Sequence, residues 1–326
     1  MNKFSKVLVT GGAGFIGSHM VDRLMKMRYL VRVIDDLGAG SLENVKGWLK
    51  DPHFDFVHGD LKDLVVAEKA VDGIEVLFHL AANPEVRVAE TDPSIHFREN
   101  ILTTFNVLEA MRKGEGAGLI VFFSSSTVYG EPNRFPTPED YSPLLPISVY
   151  GASKLSCESL ISAYCHTFGL RGLIFRLANV IGSRSAHGVI VDFINKLQDN
   201  PEELEILGDG SQSKSYLHVS DCIDAVFVAL RHFLNTKEAI EVYNIGSFDE
   251  IGVTRIAEIV SEEIGLHNLE FKFTGGVDGG RGWRGDVKTM LLSVDKLLNL
   301  GWRPKHNSEE AIRLSCQELL RPVDKA

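Results

Sequence analysis

In SVYGASKL, residues 148–155, Tyr150 and Lys154 stand four positions apart, a spacing that stacks two side chains on one face of a helix, one turn apart. A phenol and an amine so placed suit proton transfer. A tyrosine with an ordinary pKa near 10 is a poor base at neutral pH, so it needs neighbouring positive charge to lower that value. Lys154 can supply it. Upstream, LIVFFSSSTVYG gathers Ser124, Ser125, Ser126 and Thr127 at the end of a strand-like run. A hydroxyl there could hydrogen-bond a substrate oxygen and share its proton.

The third group is a glycine turn. TGGAGFIGSH contains Gly12, Gly14 and Gly17 as G-x-G-x-x-G, and Gly11, Gly14 and Gly17 as the looser G-x-x-G-x-x-G. Glycines let the backbone turn tightly and approach a pyrophosphate, whose charge then sits on the amino end of the following helix. The motif follows a predicted strand and opens a predicted helix, the context that gives it meaning. Asp35, in VIDDL, ends the second predicted strand, where a carboxylate accepts hydrogen bonds from the adenine ribose and repels a 2′-phosphate; NAD is favoured over NADP. Asp36 follows at once, and Asp60, in VHGDL, ends the third predicted strand on the adenine side. An oxidised nicotinamide would add a second positive charge near Tyr150. Together the three groups point to hydride exchange with a carbinol carbon.

These residues need elements to hold them. KVLVTG, LVRVID, FDFVHGD, EVLFHLAA, LIVFFSSS and RGLIFRLANV are short apolar runs bounded by turn residues, as buried parallel strands are. Between them lie helical patterns such as FIGSHMVDRLMKM and PSIHFRENILTTFNVLEAMRK. The alternation predicts an α/β fold, a doubly wound, Rossmann-type parallel sheet with helices on both faces. After about residue 180 the rhythm changes to GVIVDFINKLQ, SDCIDAVFVALRHFL, VTRIAEIVSEEIG and SEEAIRLSCQELL, with strand candidates LEIL, SYLHV, VYNIG and LEFKF between them. The expected layout is a dinucleotide-binding domain over 1–178, with a returning segment at about 220–248, and a smaller α/β substrate domain over 179–326. TGGVDGGRGWRGD is the most obvious loop of the second half, suited to closing on a ligand.

A chain of 326 residues, 44% hydrophobic and 24% charged, has the composition of an ordinary globular protein and is long enough for a full core. Its net charge of -10 argues against a broad electrostatic grip on nucleic acid or an anionic membrane. No run approaches the length of a membrane span, and the start, MNKFSKVLVTGG, has no leader pattern. Cys157, Cys165, Cys222 and Cys316 form no C-x-x-C pair and read as free thiols in a reducing cytoplasm. The eleven histidines show no ligand spacing, so no metal site is expected. His218 is expected to pack near the domain junction rather than act as a base.

The motifs TGGAGFIGSH, DDL, GDL, HLAA, SSSTVYGEP, YGASK, RLANVIG, GDGSQSKSYLHVSD, YNIGS and GDV..ML run through nearly the whole chain. In them the sequence resembles the extended short-chain dehydrogenase/reductase family and, within it, the NAD-dependent nucleotide-sugar epimerases, most of all those acting on UDP-glucose and UDP-galactose at C4. The resemblance implies Tyr150 as base, Lys154 as its electrostatic partner that also holds the nicotinamide ribose, and Ser125 as the catalytic hydroxyl. It assigns NAD to Gly11, Gly14, Phe15, Ile16 and Gly17, to Asp35, Asp36 and Gly40, to Asp60 and Leu61, to Leu80, Ala81 and Ala82, and to Asn100. It assigns the UDP-sugar to Ser125, Ser126, Tyr150, Asn179, Val189, Gln212, Lys214, Tyr216, Arg281 and Asp286, with Arg284 competing for the role of Arg281. It also implies a homodimer, through a four-helix bundle built from ILTTFNVLEAMRK and the helix carrying Tyr150.

Some positions depart from the family. Dehydratases carry an Asp-Glu pair directly after the catalytic hydroxyl; Ser126 and Thr127 stand here, which disfavours 4,6-dehydration. Lys214 replaces a common arginine, keeping the charge without the bidentate grip on phosphate. Pro84 stands where some 4-epimerases have a lysine, with Arg87 nearby. Met290 occupies the position that sets tolerance for a 2-acetamido group, and a flexible methionine leaves UDP-N-acetylhexosamine or UDP-glucuronate epimerisation, or UDP-glucuronate decarboxylation, as alternatives. A non-enzymatic NAD sensor would be expected to lack the tyrosine, the lysine or the glycines, and all are present.

Overall fold

The computed structural model describes residues 5–321. MNKF, on which part of the leader expectation rests, and residues 322–326, at the outer end of the expected second domain, lie outside it. The six apolar runs form β1 (Lys6–Thr10), β2 (Leu30–Asp35), β3 (Phe54–His58), β4 (Val76–His79), β5 (Leu119–Ser125) and β6 (Arg171–Leu177). Short strands follow: β7 (Asn179–Ile181), β8 (Glu203–Ile206), β9 (Ser213–Lys214) and β10 (Tyr216–His218), then β11 (Ile240–Ile245), β12 (Ile251–Gly252), β13 (Glu270–Phe273) and β14 (Thr289–Met290). The helices are α1 (Phe15–Lys26), α2 (Leu64–Val71), α3 (Ser94–His96), α4 (Thr103–Lys113), α5 (Val149–Phe168), α6 (Val189–Asp199), α7 (Val219–Phe233), α8 (Val253–Ile264), α9 (Asp295–Asn299) and α10 (Ser308–Leu320).

A seven-stranded sheet in the order β11-β6-β5-β4-β1-β2-β3 forms the centre, and every neighbouring pair is parallel. Successive residues of a strand point to opposite faces, and the core divides accordingly. Val7, Val9, Val33, Phe78 and Phe123 pack with α1 and α7. Leu8, Ile34, Leu77, Ile120 and Phe122 pack with α2, α4 and α5 on the other side. This is the doubly wound Rossmann-type arrangement. A separate apolar cluster joins Ile190, Phe193 and Leu197 of α6 to Ile256 and Ile259 of α8 and Ile312 of α10.

The helix expected over PSIHFRENILTTFNVLEAMRK is not continuous. Between α3 and α4 the backbone widens into a π-helical turn over Phe97–Leu102. The Thr103 hydroxyl donates to the Arg98 carbonyl at 3.3 Å, and the Thr104 hydroxyl to the Asn100 carbonyl at 2.7 Å. Such side-chain bonds compete with the regular backbone ladder. RGLIFRLANV likewise divides at Ala178, after which β7 leaves the large sheet to pair with β10.

Candidate active site

Neighbouring β1 and β4 connect onward in opposite directions, which opens a crevice beyond their carboxyl ends, the usual ligand position in such sheets. A continuous cleft of about 920 Å³ runs from there to β9 and the segment before β14. At one end lies the glycine turn. Gly11 has φ +66°, and a Cβ on it would come within 2.8 Å of the Ala81 nitrogen; one on Gly17 would lie 2.1 Å from the Gly11 carbonyl oxygen. Only hydrogen fits at either position, so β1, α1 and the turn after β4 close on one another. The first turn of α1 carries no acidic residue, leaving its N–H groups and positive dipole end to an anion.

Asp35 is buried and braces this turn. Its Oδ2 accepts from Ala13 N at 2.9 Å and its Oδ1 from Leu37 N at 2.8 Å. Burial raises its pKa, and those two backbone bonds work in the other direction. Gly40 lies close by: a Cβ there would meet the Ala13 backbone at 2.9 Å and Asp35 Oδ1 at 3.0 Å. Phe15, Ile16, Gly14, Asp36, Asp60, Leu61, Leu80, Ala81 and Ala82 all line the cleft.

The turn after β4 is set by a buried relay. Thr10 Oγ1 accepts from the Leu80 and Ala81 nitrogens at 3.1 and 3.2 Å. His79 bridges Thr10 Oγ1 through Nδ1, at 2.7 Å, and Thr104 Oγ1 through Nε2, at 3.0 Å. Thr104 spends its own proton on the Asn100 carbonyl, so the relay is satisfied by a neutral imidazole protonated at Nε2. Burial pushes the His79 pKa down to about 3, in keeping with that form. Asn100 departs from its expected place. Its side chain does not line the cleft; Oδ1 accepts from Asn83 N at 2.8 Å and Nδ2 donates to Ser153 Oγ at 2.8 Å. It ties the turn after β4 to α5.

Ser125, Tyr150 and Lys154 meet at the middle of the cleft. The Ser148 hydroxyl caps α5 by accepting from Gly151 N at 3.0 Å, which starts the helix just before Tyr150. The Ser125 hydroxyl favours ionisation of the Tyr150 phenol, and its Oγ accepts from Thr127 N and Thr127 Oγ1 at 3.2 and 2.9 Å. Lys154 Nζ lies 5.9 Å from the Tyr150 ring centre and donates to the Phe123 carbonyl at 2.9 Å. The expected lowering of Tyr150 by Lys154 is absent. Burial pushes the phenol up to about 12, with Ser125 only partly offsetting it, and burial pushes Lys154 down to about 8.

On the far wall, Ser126, Asn179, Val189, Lys214, Tyr216 and Asp286 line the cleft. Asp286 is the local hub: Oδ1 accepts from Lys214 Nζ at 2.6 Å and its carbonyl from Arg281 Nη1 at 2.6 Å. Gln212 and Arg281 do not line the cleft, contrary to expectation. Gln212 Nε2 is spent on the Leu207 carbonyl at 3.0 Å, and Arg281 pairs with Glu131 behind the wall. Arg284 is 78% exposed, which separates it from the partly buried Arg281. His218 packs against His306 and bonds Glu318 at 3.3 Å, away from the cleft.

Residues 7–246 match the model of the NAD dependent epimerase/dehydratase family. The chain belongs to that family. It is an NAD-dependent epimerase. A solved UDP-galactose 4-epimerase superposes with a TM-score of 0.86 at 44% identity, over 96% of this chain and 98% of its own. The Thermotoga maritima UDP-glucose 4-epimerase, solved with UDP-glucose, gives 0.83 at 32% identity over 96% and 98%. The Thermus thermophilus UDP-glucose 4-epimerase, solved with NAD, gives 0.82 at 33% over 96% and 98%. Similarity at 28% identity extends to a UDP-glucuronic acid decarboxylase of Danio rerio and a dTDP-glucose 4,6-dehydratase of Streptomyces venezuelae, so membership does not choose the sugar.

The cofactor end of this epimerase fits NAD. The glycine turn leaves backbone exposed where a Cβ would obstruct it, α1 presents an uncompensated amino end, and Asp35 keeps lone pairs beyond its two backbone bonds. Two features escaped the sequence reading. Glu158, one further turn along α5 from Lys154, accepts from Ser124 Oγ at 2.5 Å and pairs with buried Arg176 at 2.7 Å, fixing the strand end that carries Ser125. Its spacing from Lys154 was the available signal. Trp283 also lines the cleft, on the same loop as Arg281 and Arg284. Among the described residues, no group of His, Cys, Asp and Glu is placed to hold a metal ion, and no helix is long and apolar enough to cross a membrane.

Proposed function

We propose that this epimerase interconverts UDP-glucose and UDP-galactose. The observation that carries the proposal is that Ser125, Tyr150 and Lys154 share one cleft with the glycine turn and with Lys214 and Tyr216. Tyr150 Oη takes the proton of the sugar's 4-hydroxyl while Ser125 Oγ bonds the same oxygen and shortens the transfer. Lys154 holds positive charge beside the phenolate. NAD, when bound, supplies the acceptor for the C4 hydride and returns it, so no net redox occurs. The 4-keto sugar turns over before the hydride returns to its other face. Ser126 and Thr127 offer no carboxyl for eliminating water, which supports epimerisation over dehydration.

In this reading residues up to about 178, with the 220–248 segment, hold NAD, and most of the remainder holds the nucleotide sugar. Asn179, Val189, Lys214, Tyr216 and Asp286 flank the UDP part, with Gln212 and Arg281 bracing them from behind. Asn100 braces the cofactor side in the same way. We also propose a homodimer through α4 and α5. Ile101, Pro146, Ala152, Leu155 and Leu160 line a shallow apolar groove on α5 and the π-helical turn that leads into α4, and Phe97 is 58% exposed within a turn of Ile101. The four buried, unpaired cysteines suit the reducing cytoplasm.

The test is a panel of UDP-sugars given to NAD-loaded protein without added reductant and read by chromatography. UDP-galactose and UDP-glucose should interconvert fastest. Faster turnover of UDP-N-acetylhexosamines or UDP-glucuronate, or formation of a UDP-pentose with loss of carbon dioxide, would replace the hexose reading. Met290, buried against Val128, Tyr129 and Leu292 at the cleft wall, is the residue whose packing limits the sugar's 2-substituent.

A further inference from the structure

Lys154 is 5% exposed, and little of the protein around it answers its charge. One of its three donors meets the Phe123 carbonyl at 2.9 Å. The one acid of its own helix, Glu158, is taken up by Arg176 at 2.7 Å and by Ser124 Oγ at 2.5 Å. Burial keeps Cys157 of α5 in its thiol form and lowers the pKa of His79 of β4 and His96 of α3, so none of these neighbours brings a negative charge. A buried ammonium without a counter-ion is disfavoured. Aromatic faces stand where a carboxylate would. Nζ lies over the Phe122 ring, 5.0 Å from its centre, and 5.9 Å from the centre of the Tyr150 ring. Phe122 belongs to β5, across from α5; it is 1% exposed and has the His79 ring 5.8 Å away. It does not line the cleft.

We propose that Phe122 is a positioning residue for the reaction, its π face holding the Lys154 ammonium beside Tyr150 and favouring the charged form through a cation–π contact. The inference rests on Lys154 supplying charge beside the Tyr150 phenolate in UDP-sugar epimerisation. The face of an aromatic ring is negative and attracts a cation, more strongly where water is excluded. A ring also takes up none of the ammonium's hydrogen-bonding capacity, so the two donors not spent on the Phe123 carbonyl stay free for the cleft. Successive residues of β5 thus serve the same group, Phe122 through its ring and Phe123 through its carbonyl, before the strand delivers Ser124 and Ser125. Phe122 acts through Lys154.

The experiment replaces Phe122 by mono-, di- and trifluorophenylalanine in NAD-loaded protein. Each fluorine draws negative charge off the ring face and nearly keeps the ring's shape, so unchanged thermal melts separate charge from packing. NMR titration of isotope-labelled lysine Cε follows Lys154 directly, its signal identified by its absence from Lys154→Met. A weaker ring face disfavours the charged form, so the Lys154 pKa should fall with each fluorine, by about one pH unit over the series. The alkaline limb of the kcat profile for UDP-galactose should move to lower pH by the same amount, with KM unchanged, because Phe122 does not line the cleft. A Lys154 pKa that does not respond to the fluorines would overturn this inference alone. A shift in KM without a shift in the alkaline limb would also overturn it, by making the ring's role one of packing. Turnover of UDP-galactose by Lys154→Met at the wild-type rate would overturn both this inference and the role of Lys154 beneath it.

Discussion

Tyr150 carries opposing influences. Its burial keeps the proton on, and the influence of Ser125 eases the proton off. Lys154 stands beside it, and burial lowers its own pKa to about 8. Positive charge placed in the cleft beside the phenol favours its ionised form. Tyr150→Phe keeps the ring against His96, whose centre is 5.6 Å away, and removes only the hydroxyl. We expect turnover to fall by about a hundred- to ten-thousandfold, with NAD affinity by calorimetry unchanged. Undiminished turnover would remove Tyr150 from the mechanism.

Helix α10 is pinned to the cleft wall by one carboxylate. Glu318 Oε2 accepts from Ser183 N at 2.8 Å and lies 3.3 Å from His218 Nε2. The His218 bond, with help from Ser183, holds its pKa down to about 2 against the effect of burial. A carboxylate whose pKa falls on folding stabilises above its unfolded value, near 4.5, and loses that contribution as pH falls toward 2. Glu318→Gln should cost about 2 kcal/mol at pH 7, and the gap to wild type in urea titrations should narrow as the pH drops below about 4.5. A gap independent of pH would contradict the assignment.

Elements differ in how far local sequence predicts them. β1 to β6 and most long helices follow from apolar periodicity, because each has one neighbour pattern along its whole length. The π-helical turn at Phe97–Leu102 does not, since it depends on the Thr103 and Thr104 hydroxyls and on Cys157 of α5, whose Sγ donates to the Asn100 carbonyl at 3.4 Å. The same limit applies to Asn100, Gln212 and Arg281. Their residue types suit ligand binding, but whether an amide or guanidinium faces the cleft or braces its wall is decided by distant partners such as Asn83, Leu207 and Glu131. Trp283 was hidden for the converse reason: nothing in its neighbours along the chain announces that Arg87 and Lys214 lie against its ring.

At the scale of the whole molecule, one sheet edge gathers every group that the chemistry needs, and the apolar face of α4 and α5 lies outside that cleft. If a second copy covers this face, Ala152→Arg, which sets a charge in the groove, should halve the mass seen by sedimentation from dimer to monomer and leave the monomer's fold intact by circular dichroism. A dimer that persists would place the interface elsewhere. The net charge of -10 makes local cations the means of holding an anionic substrate, and Lys214 and Arg281 lie at or behind the far wall. The central claim is a closed cycle in which the hydrogen leaving C4 returns to C4. NAD-loaded protein given UDP-galactose deuterated at C4, in ordinary water without reductant, should yield UDP-glucose that retains deuterium at C4. Loss of the label to solvent, or no UDP-glucose at all, would contradict it.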